Sequence, residues 1–291
     1  MTSLEMKPMN KISFAFFGTA PLAEGVLEAL KDAGLVPGLI VAGPDGVEPR
    51  KKTVVFPPEK QWALSHGIEM IQPEMLDDEF IATLKARQWD VFIVASYGKF
   101  LPKRLLEIPA RGTLNMHPSL LPRLRGPSPI RSAILTDERQ TGVTVIKLDE
   151  EMDHGPLVAQ RKIAIGQWPP HGIELDNLLA REGGKLLAEI LPLWIKDEVE
   201  AHAQNHDLAT YCEKISREDG LIDLKDDAHR SLLKIRAYEG WPGTYAFFGH
   251  DGKRIRVKIL DAHVENDDLI LDRVIPEGKR EMGYAEFCRG L

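Results

Sequence analysis

The sequence predicts an α/β protein with an open, doubly wound, mostly parallel sheet, followed by a small, shortened C-terminal domain of β-barrel (OB-like) type. Up to about residue 195, short apolar runs alternate with amphipathic helical segments, as in doubly wound sheets. The segment "DVFIVASYG" (90–98) contains a continuous apolar run, as expected for a strand in the buried centre of a parallel sheet. After residue 210 short strands separated by turns follow, which is typical of a small barrel.

The first domain is predicted over residues 10–195. It begins with the apolar strand "KISFAFFG" (11–18), and the next segment, "APLAEGVLEALKDAG", has its apolar residues at helical spacing before a glycine stop. The segment 44–60 contains four prolines and the cations Arg50, Lys51 and Lys52, and is predicted to be a long loop; these three cations are called the basic loop below. The other predicted elements are strands at 35–43, 69–71, 90–98, 112–117, 142–149 and 155–165, and helices near 58–66, 77–86, 127–136 and 173–195.

Residues 196–210 are polar and are predicted to form a linker to a domain at 211–291. In that domain a helix near 226–238 precedes the strands "GTYAFFG", "KRIRVKIL" and "DLILDRVI". Only "ENDD" separates the last two strands, so the barrel is expected to be short.

Composition narrows the class of protein. The net charge of −7 over 291 residues argues against broad nonspecific binding to nucleic acid, although one basic face remains compatible with it. Two cysteines, Cys212 and Cys288, are too few for a disulfide scaffold or a thiolate metal site. No apolar run approaches the roughly 20 residues that span a bilayer, and the N-terminus has no secretory signal pattern, so we expect a cytoplasmic protein.

Polar residues capable of chemistry lie at the end of a predicted strand. Asn115 and His117 end the strand 112–117, with side chains on the same face because strand side chains alternate with period two. "KLDEEMDHG" places Asp149 and Asp153 in a turn after the next strand, and ligands of doubly wound sheets bind outside strand ends. An amide, an imidazole and a carboxylate are the groups needed for acyl transfer without a covalent intermediate. The amide and a protonated imidazole stabilise an oxyanion, and the carboxylate keeps the imidazole charged and assists proton removal.

An Asn-x-His pair alone is common by chance, but "SLLPRLRG" directly behind it makes chance a weaker explanation. Other reaction classes lack their motifs, since the sequence has no Gly-x-Ser-x-Gly, no glycine-rich phosphate loop and no His-Glu-x-x-His. "FFGTAP" carries a single glycine, which excludes a dinucleotide fingerprint.

The segments "LNMHPSLLPRLRGPSPIRSAI" and "TGVTVIKLDEEMDHGPLVAQ" closely resemble the folate-dependent formyltransferases. The opening strand and helix, the basic loop and the C-terminal segments "TYCEKISREDGLIDL", "IRAYEGWPGTYAFF" and "PEGKREMGYAEFCRG" are most similar to the branch whose acceptor is an amino acid on tRNA. The resemblance implies that 10-formyltetrahydrofolate is the donor, that the α-amine of methionine on initiator tRNA is the acceptor, and that the chain is a monomer that needs no metal.

The resemblance also implies roles for single residues. Asn115, His117 and Asp153 correspond to the catalytic trio, and Asp149 is either a further acid of that loop or a turn-forming residue. The folate-contacting turn corresponds to Ser119, Leu120, Leu121 and Pro122.

A further pattern concerns the acceptor. In "KRIRVKI" (253–259) apolar residues alternate with Arg254, Arg256 and Lys258, which places these cations in one outward row, the cation row. The row is either a solvated strand face that discourages edge pairing or, together with the basic loop, a contact surface for tRNA phosphates.

Three alternatives are considered. A nucleotide-linked amino-sugar N-formyltransferase would use the same donor and trio with another acceptor. The glycinamide ribonucleotide formyltransferases of purine synthesis end after the first domain, so the C-terminal segment argues against that function. A folate-binding regulatory module without catalysis would require a broken trio, and the trio is intact.

Overall fold

The computed structural model describes residues 12–48, 53–250 and 253–290. The chain divides into two compact units. The first contains the chain up to His117 with Val143–Arg161 and Leu179–His206, and the second contains Pro118–Gly142, Lys162–Leu178 and the chain from Asp207 onward. The predicted limits of 10–195, 196–210 and 211–291 for the domains and linker stay a prediction.

The described strands and helices follow the predicted order, with a few short additions. The strands are β1 (Phe14–Gly18), β2 (Leu39–Val41), β3 (Gly46–Val47), β4 (Val54–Val55), β5 (Met70–Ile71), β6 (Val91–Ala95), β7 (Thr113–His117), β8 (Thr141–Lys147), β9 (Leu157–Ile163), β10 (Thr244–His250), β11 (Lys253–Glu265), β12 (Asp268–Pro276) and β13 (Met282–Gly283). The α-helices are α1 (Pro21–Asp32), α2 (Pro58–His66), α3 (Asp78–Lys85), α4 (Lys103–Leu106), α5 (Pro129–Leu135), α6 (Gly172–Ile195), α7 (Ala228–Ala237) and α8 (Tyr284–Arg289). Sequence periodicity missed β3, β4, α4, β13 and α8, because elements of two to six residues are too short to display a repeat.

A seven-stranded sheet forms the core of the first unit, in the order β5-β2-β1-β6-β7-β8-β9. The strands from β5 to β7 pair in parallel, and every residue of β1, β6 and β7 is buried. This confirms the predicted open, mostly parallel sheet. Strand order reverses between β1 and β6, the position where doubly wound folds bind ligands beyond the strand ends.

One strand direction differs from the expectation. β8 runs antiparallel to β7, with Leu114 opposite Lys147 and His117 opposite Thr144. The carboxyl end of β8 therefore lies beside the start of β7. The segment that follows β8 begins there, at the end of β7 that is opposite to His117.

The described residues of the predicted long loop at 44–60 include regular elements. β3 and β4 pair as a short antiparallel hairpin, and α2 begins at Pro58. Lys60 Nζ lies 2.6 Å from Asp45 Oδ2, and Gln72 Nε2 donates to Gly43 O at 2.6 Å, so hydrogen bonds hold the base of the hairpin. The basic loop, Arg50, Lys51 and Lys52, falls outside the described residues.

The second unit contains an antiparallel sheet in the order β10-β11-β12-β13. "ENDD" is the turn of its central hairpin: Glu265 pairs with Asp268, while Asn266 and Asp267 have φ of 50° and 66°, as a tight two-residue turn requires. Ile235 of α7 packs with Ile259 and Leu271 in the core of this sheet. This four-stranded antiparallel sheet agrees with the predicted small C-terminal β domain, and Leu221 adds a parallel bridge to Tyr245 of β10.

Of the helices in the described residues, none is long and apolar enough to cross a membrane.

Candidate active site

Asn115 and His117 lie on one face of β7, and their apolar neighbours Leu114 and Met116 lie on the other. Both polar residues are buried, at 8% and 4% exposed. Burial of an amide and an imidazole in a sheet is unfavourable unless each has a hydrogen-bonding or charged partner. The partner that the structure provides is Asp153.

Asp153 contacts both residues. Its Oδ2 lies 3.6 Å from His117 Nδ1, and its Oδ1 lies 3.5 Å from Asn115 Nδ2. Its side chain is 14% exposed and that of His117 is 5% exposed, so little water screens the pair. The structure therefore brings the three predicted catalytic residues together.

The route by which Asp153 reaches this position differs from the sequence argument, which assumed that two carboxyl strand ends share one edge. Because β8 is antiparallel, the chain after β8 starts beside Thr113, where Leu148 N donates to Thr113 O at 2.8 Å. The segment 148–156 both begins and ends beside the end of β8, where Lys147 N donates to Pro156 O at 3.0 Å, and Asp153 within it contacts Asn115 and His117. Asp153 does lie beside Asn115 and His117, as expected. The expected reason, that β7 and β8 end at the same edge of the sheet, is wrong.

Asp149 makes the contacts expected of a turn-forming residue. Its Oδ1 accepts a hydrogen bond from Glu151 N at 3.0 Å, and its Oδ2 lies 2.7 Å from His154 Nδ1. Both contacts are inside the loop, so Asp149 shapes the segment that carries Asp153.

The predicted folate turn is described within the second unit. Ser119 and Leu121 are buried, and Ser119 Oγ donates to Arg123 O at 2.7 Å, which closes the turn. Leu120 and Pro122 are half-buried. The contact of these four residues with a folate stays a prediction.

Two buried polar groups lie near the point of strand-order reversal. The carboxylate of Glu59, a fully buried residue, accepts from Ala20 N at 2.6 Å at the start of α1, and burial raises its pKa. Burial likewise raises the pKa of the Tyr97 hydroxyl, just after β6, to about 12. Neither Glu59 Oε2 nor Tyr97 Oη has a hydrogen-bond partner among the described residues.

Sequence reasoning missed Gln204. It belongs to the predicted linker, yet it is 4% exposed and bonds to the backbone of the loop that carries Asp153. A single glutamine in a polar segment carries no local signal of such a contact. Among the described residues, no three His, Cys, Asp or Glu side chains group closely enough to hold a metal ion.

Comparison with known proteins identifies the family of this chain. The formyl transferase family model matches residues 10–190, and the model of its C-terminal domain matches residues 214–269. The chain therefore belongs to the formyl transferase family.

Its relatives include proteins named methionyl-tRNA formyltransferase. The protein from Chloroflexus aurantiacus is 40% identical over 95% of this chain and 96% of its own length. The protein from Thermus thermophilus is 34% identical over 95% of each chain.

Solved structures show the same fold at low identity. A methionyl-tRNA formyltransferase from Clostridium thermocellum has a TM-score of 0.61 at 16% identity, covering 91% of this chain and 98% of that chain. A sugar N-formyltransferase from Helicobacter canadensis, solved with folinic acid and dTDP-3-aminofucose, has a TM-score of 0.64 at 18% identity and covers 88% of each chain.

Proposed function

We propose that this chain transfers the formyl group of 10-formyltetrahydrofolate to the α-amine of methionine on initiator tRNA. The observation that carries the proposal is that the Asp153 carboxylate lies within 3.6 Å of both the Asn115 amide and the His117 imidazole of β7. Relatives of 34–41% identity named for this activity support tRNA as the acceptor.

The trio accounts for each step of the transfer. The amine attacks the formyl carbon, and the carbonyl oxygen becomes an oxyanion that the Asn115 amide and the His117 imidazolium stabilise. Asp153 attracts the positive charge of His117 and accepts the proton that the attacking amine loses. The carbonyl then re-forms as the bond from the formyl carbon to the folate nitrogen breaks, that nitrogen takes the proton held by Asp153, and the amine keeps the formyl group.

The assay compares two acceptors with one donor. Purified protein is mixed with 10-formyltetrahydrofolate and either methionyl initiator tRNA or a dTDP-amino sugar, and formylated product is measured. We expect product on the tRNA only. Product on the sugar alone would overturn the proposed acceptor, and product on neither would overturn the proposed function.

The cation row supports a tRNA surface on the second unit. The Arg254, Arg256 and Lys258 side chains are exposed, whereas Val257 and Ile259 are buried, so the predicted alternation is confirmed. Its contact with tRNA is a proposal.

Two of these cations stack on aromatic rings of β10. The Arg256 guanidinium carbon lies 3.9 Å from the Tyr245 ring centre, and that of Arg254 lies 4.3 Å from the ring centre of Phe247. A stacked guanidinium keeps its N–H donors in its own plane, where a phosphate can reach them. Neither arginine has a carboxylate partner in the described part of the chain, whereas Arg273 of β12 pairs with Glu281 at 2.8 Å.

We expect the Arg254→Gln, Arg256→Gln, Lys258→Gln triple variant to weaken tRNA binding and to flatten its salt dependence by roughly two to three units of log–log slope. Folate binding stays unchanged. Arg273→Gln removes a cation of the same sheet that is already ion-paired, and is the matched control. An unaltered slope in the triple variant would place the tRNA surface elsewhere.

A further inference from the structure

Gln204 bonds to both ends of the turn that carries Asp153. Its Nε2 donates to Asp153 O at 2.8 Å and to Gly155 O at 2.7 Å. A primary amide has two N–H donors, and here both are used on one three-residue turn. The Gln204 side chain therefore fixes the backbone of Asp153 directly.

The position of Gln204 is itself fixed by backbone pairing. Leu157 N donates to His202 O at 2.7 Å, and His202 N donates to Leu157 O at 2.8 Å, so the two residues form an antiparallel bridge. In an antiparallel pair, the residue two positions after His202 lies opposite the residue two positions before Leu157. This register places Gln204 beside Gly155.

The backbone of Asp153 needs such support. Its φ is 49°, in the left-handed region, which residues other than glycine adopt infrequently. A conformation of this kind persists only where the surrounding contacts determine it.

A second set of contacts holds the middle of the turn. The His154 ring stacks on the His206 ring, with centres 4.1 Å apart and planes 9° apart, and Asp149 Oδ2 lies 2.7 Å from His154 Nδ1. At Gly155 an added Cβ would lie 1.9 Å from Lys147 O, so the turn is also packed tightly against the end of β8. Residues 154 and 155 are thereby held in place, and the carboxylate of Asp153 extends to Asn115 and His117.

We propose that Gln204 is a positioning residue, which sets the Asp153 carboxylate against His117 for formyl transfer; this inference rests on the proposed function. Gln204 contributes geometry to the reaction and no charge or proton. Its loss lowers turnover because a reacting group displaced by about 1 Å can cost on the order of 100-fold in rate.

The test uses Gln204→Met, which keeps nearly the same length and volume but has no N–H donor. We expect kcat to fall about 10- to 100-fold, while the folate dissociation constant and the KM for tRNA change little. In the Asp153→Asn background the same change should lower kcat by less than about threefold, because the group that Gln204 positions has already lost its function.

The control is Thr113→Val, which removes another buried hydrogen bond to a backbone oxygen of the first unit, from Thr113 Oγ1 to Leu106 O at 3.1 Å. It should lower the Tm without lowering kcat. If Gln204→Met lowers the Tm but keeps the wild-type kcat, or if its effect is equally large in the Asp153→Asn background, the inference is wrong. A wild type that forms no formylated tRNA would instead refute the proposed function.

Discussion

Replacing Asp153 by asparagine tests the central electrostatic interaction of the site. Asparagine keeps the shape of the side chain but removes its charge. At the observed separation of 3.6 Å, two unit charges attract by about 4 to 5 kcal/mol at an effective dielectric constant of roughly 20. The negative charge of Asp153 attracts the His117 imidazolium that stabilises the oxyanion, so removing this charge weakens the stabilisation of the transition state.

The expected loss follows from this energy. Each 1.36 kcal/mol corresponds to about tenfold in rate, and the asparagine dipole replaces part of the lost attraction, so we expect kcat to fall about 100- to 1,000-fold. Steady-state formylation measures kcat, and equilibrium titration with folate checks that the donor still binds. Glu150→Gln removes a charge from the same loop at a residue whose side chain is 62% exposed, and it should leave kcat within about threefold of wild type.

A double variant tests whether Asp153 acts through His117. If Asp153 acts through His117, adding His117→Ala to Asp153→Asn should lower kcat by less than about tenfold, because residues that act as a unit are strongly non-additive. Wild-type turnover in Asp153→Asn, or fully additive losses in the double variant, would refute this electrostatic account.

Two further predictions concern single residues. Asn115→Ala should lower kcat about 100- to 1,000-fold through loss of one oxyanion donor, with Tm and folate binding close to wild type; normal turnover would remove Asn115 from the mechanism. Glu59→Gln should change the pH dependence of stability, which urea unfolding at a series of pH values measures. Burial raises the folded-state pKa of Glu59, so the folded protein binds this proton more tightly than the unfolded chain, and the free energy of unfolding falls as pH rises from about 4.3 through the folded-state pKa. The variant has no titrating group at position 59, so its free energy of unfolding relative to wild type should rise over the same pH range. A difference that does not depend on pH would contradict the raised pKa of Glu59.

Local patterns in the sequence determined much of the fold. Apart from β3, β4 and α4, the strands and helices from β1 to α6 follow from runs and periodicities over neighbouring residues, since side-chain direction repeats every two residues in a strand and about every 3.6 in a helix. For the same reason the spacing of Asn115 and His117 placed both on one face of β7, and the alternation in 253–259 placed the cation row outward.

Tertiary structure decided what joins these elements. The antiparallel direction of β8 depends on its partner strand, and this direction sets where the segment 148–156 begins. The bond from Gln204 to Asp153 O spans 51 residues, and that from the Asn115 amide to the Asp153 carboxylate spans 38. Periodicity describes residues that are close in the chain, whereas such contacts form only when the packed sheet and its bridge at Leu157 and His202 bring distant segments together. The sequence therefore named the chemical groups of the site, and the packing set the geometry that holds them.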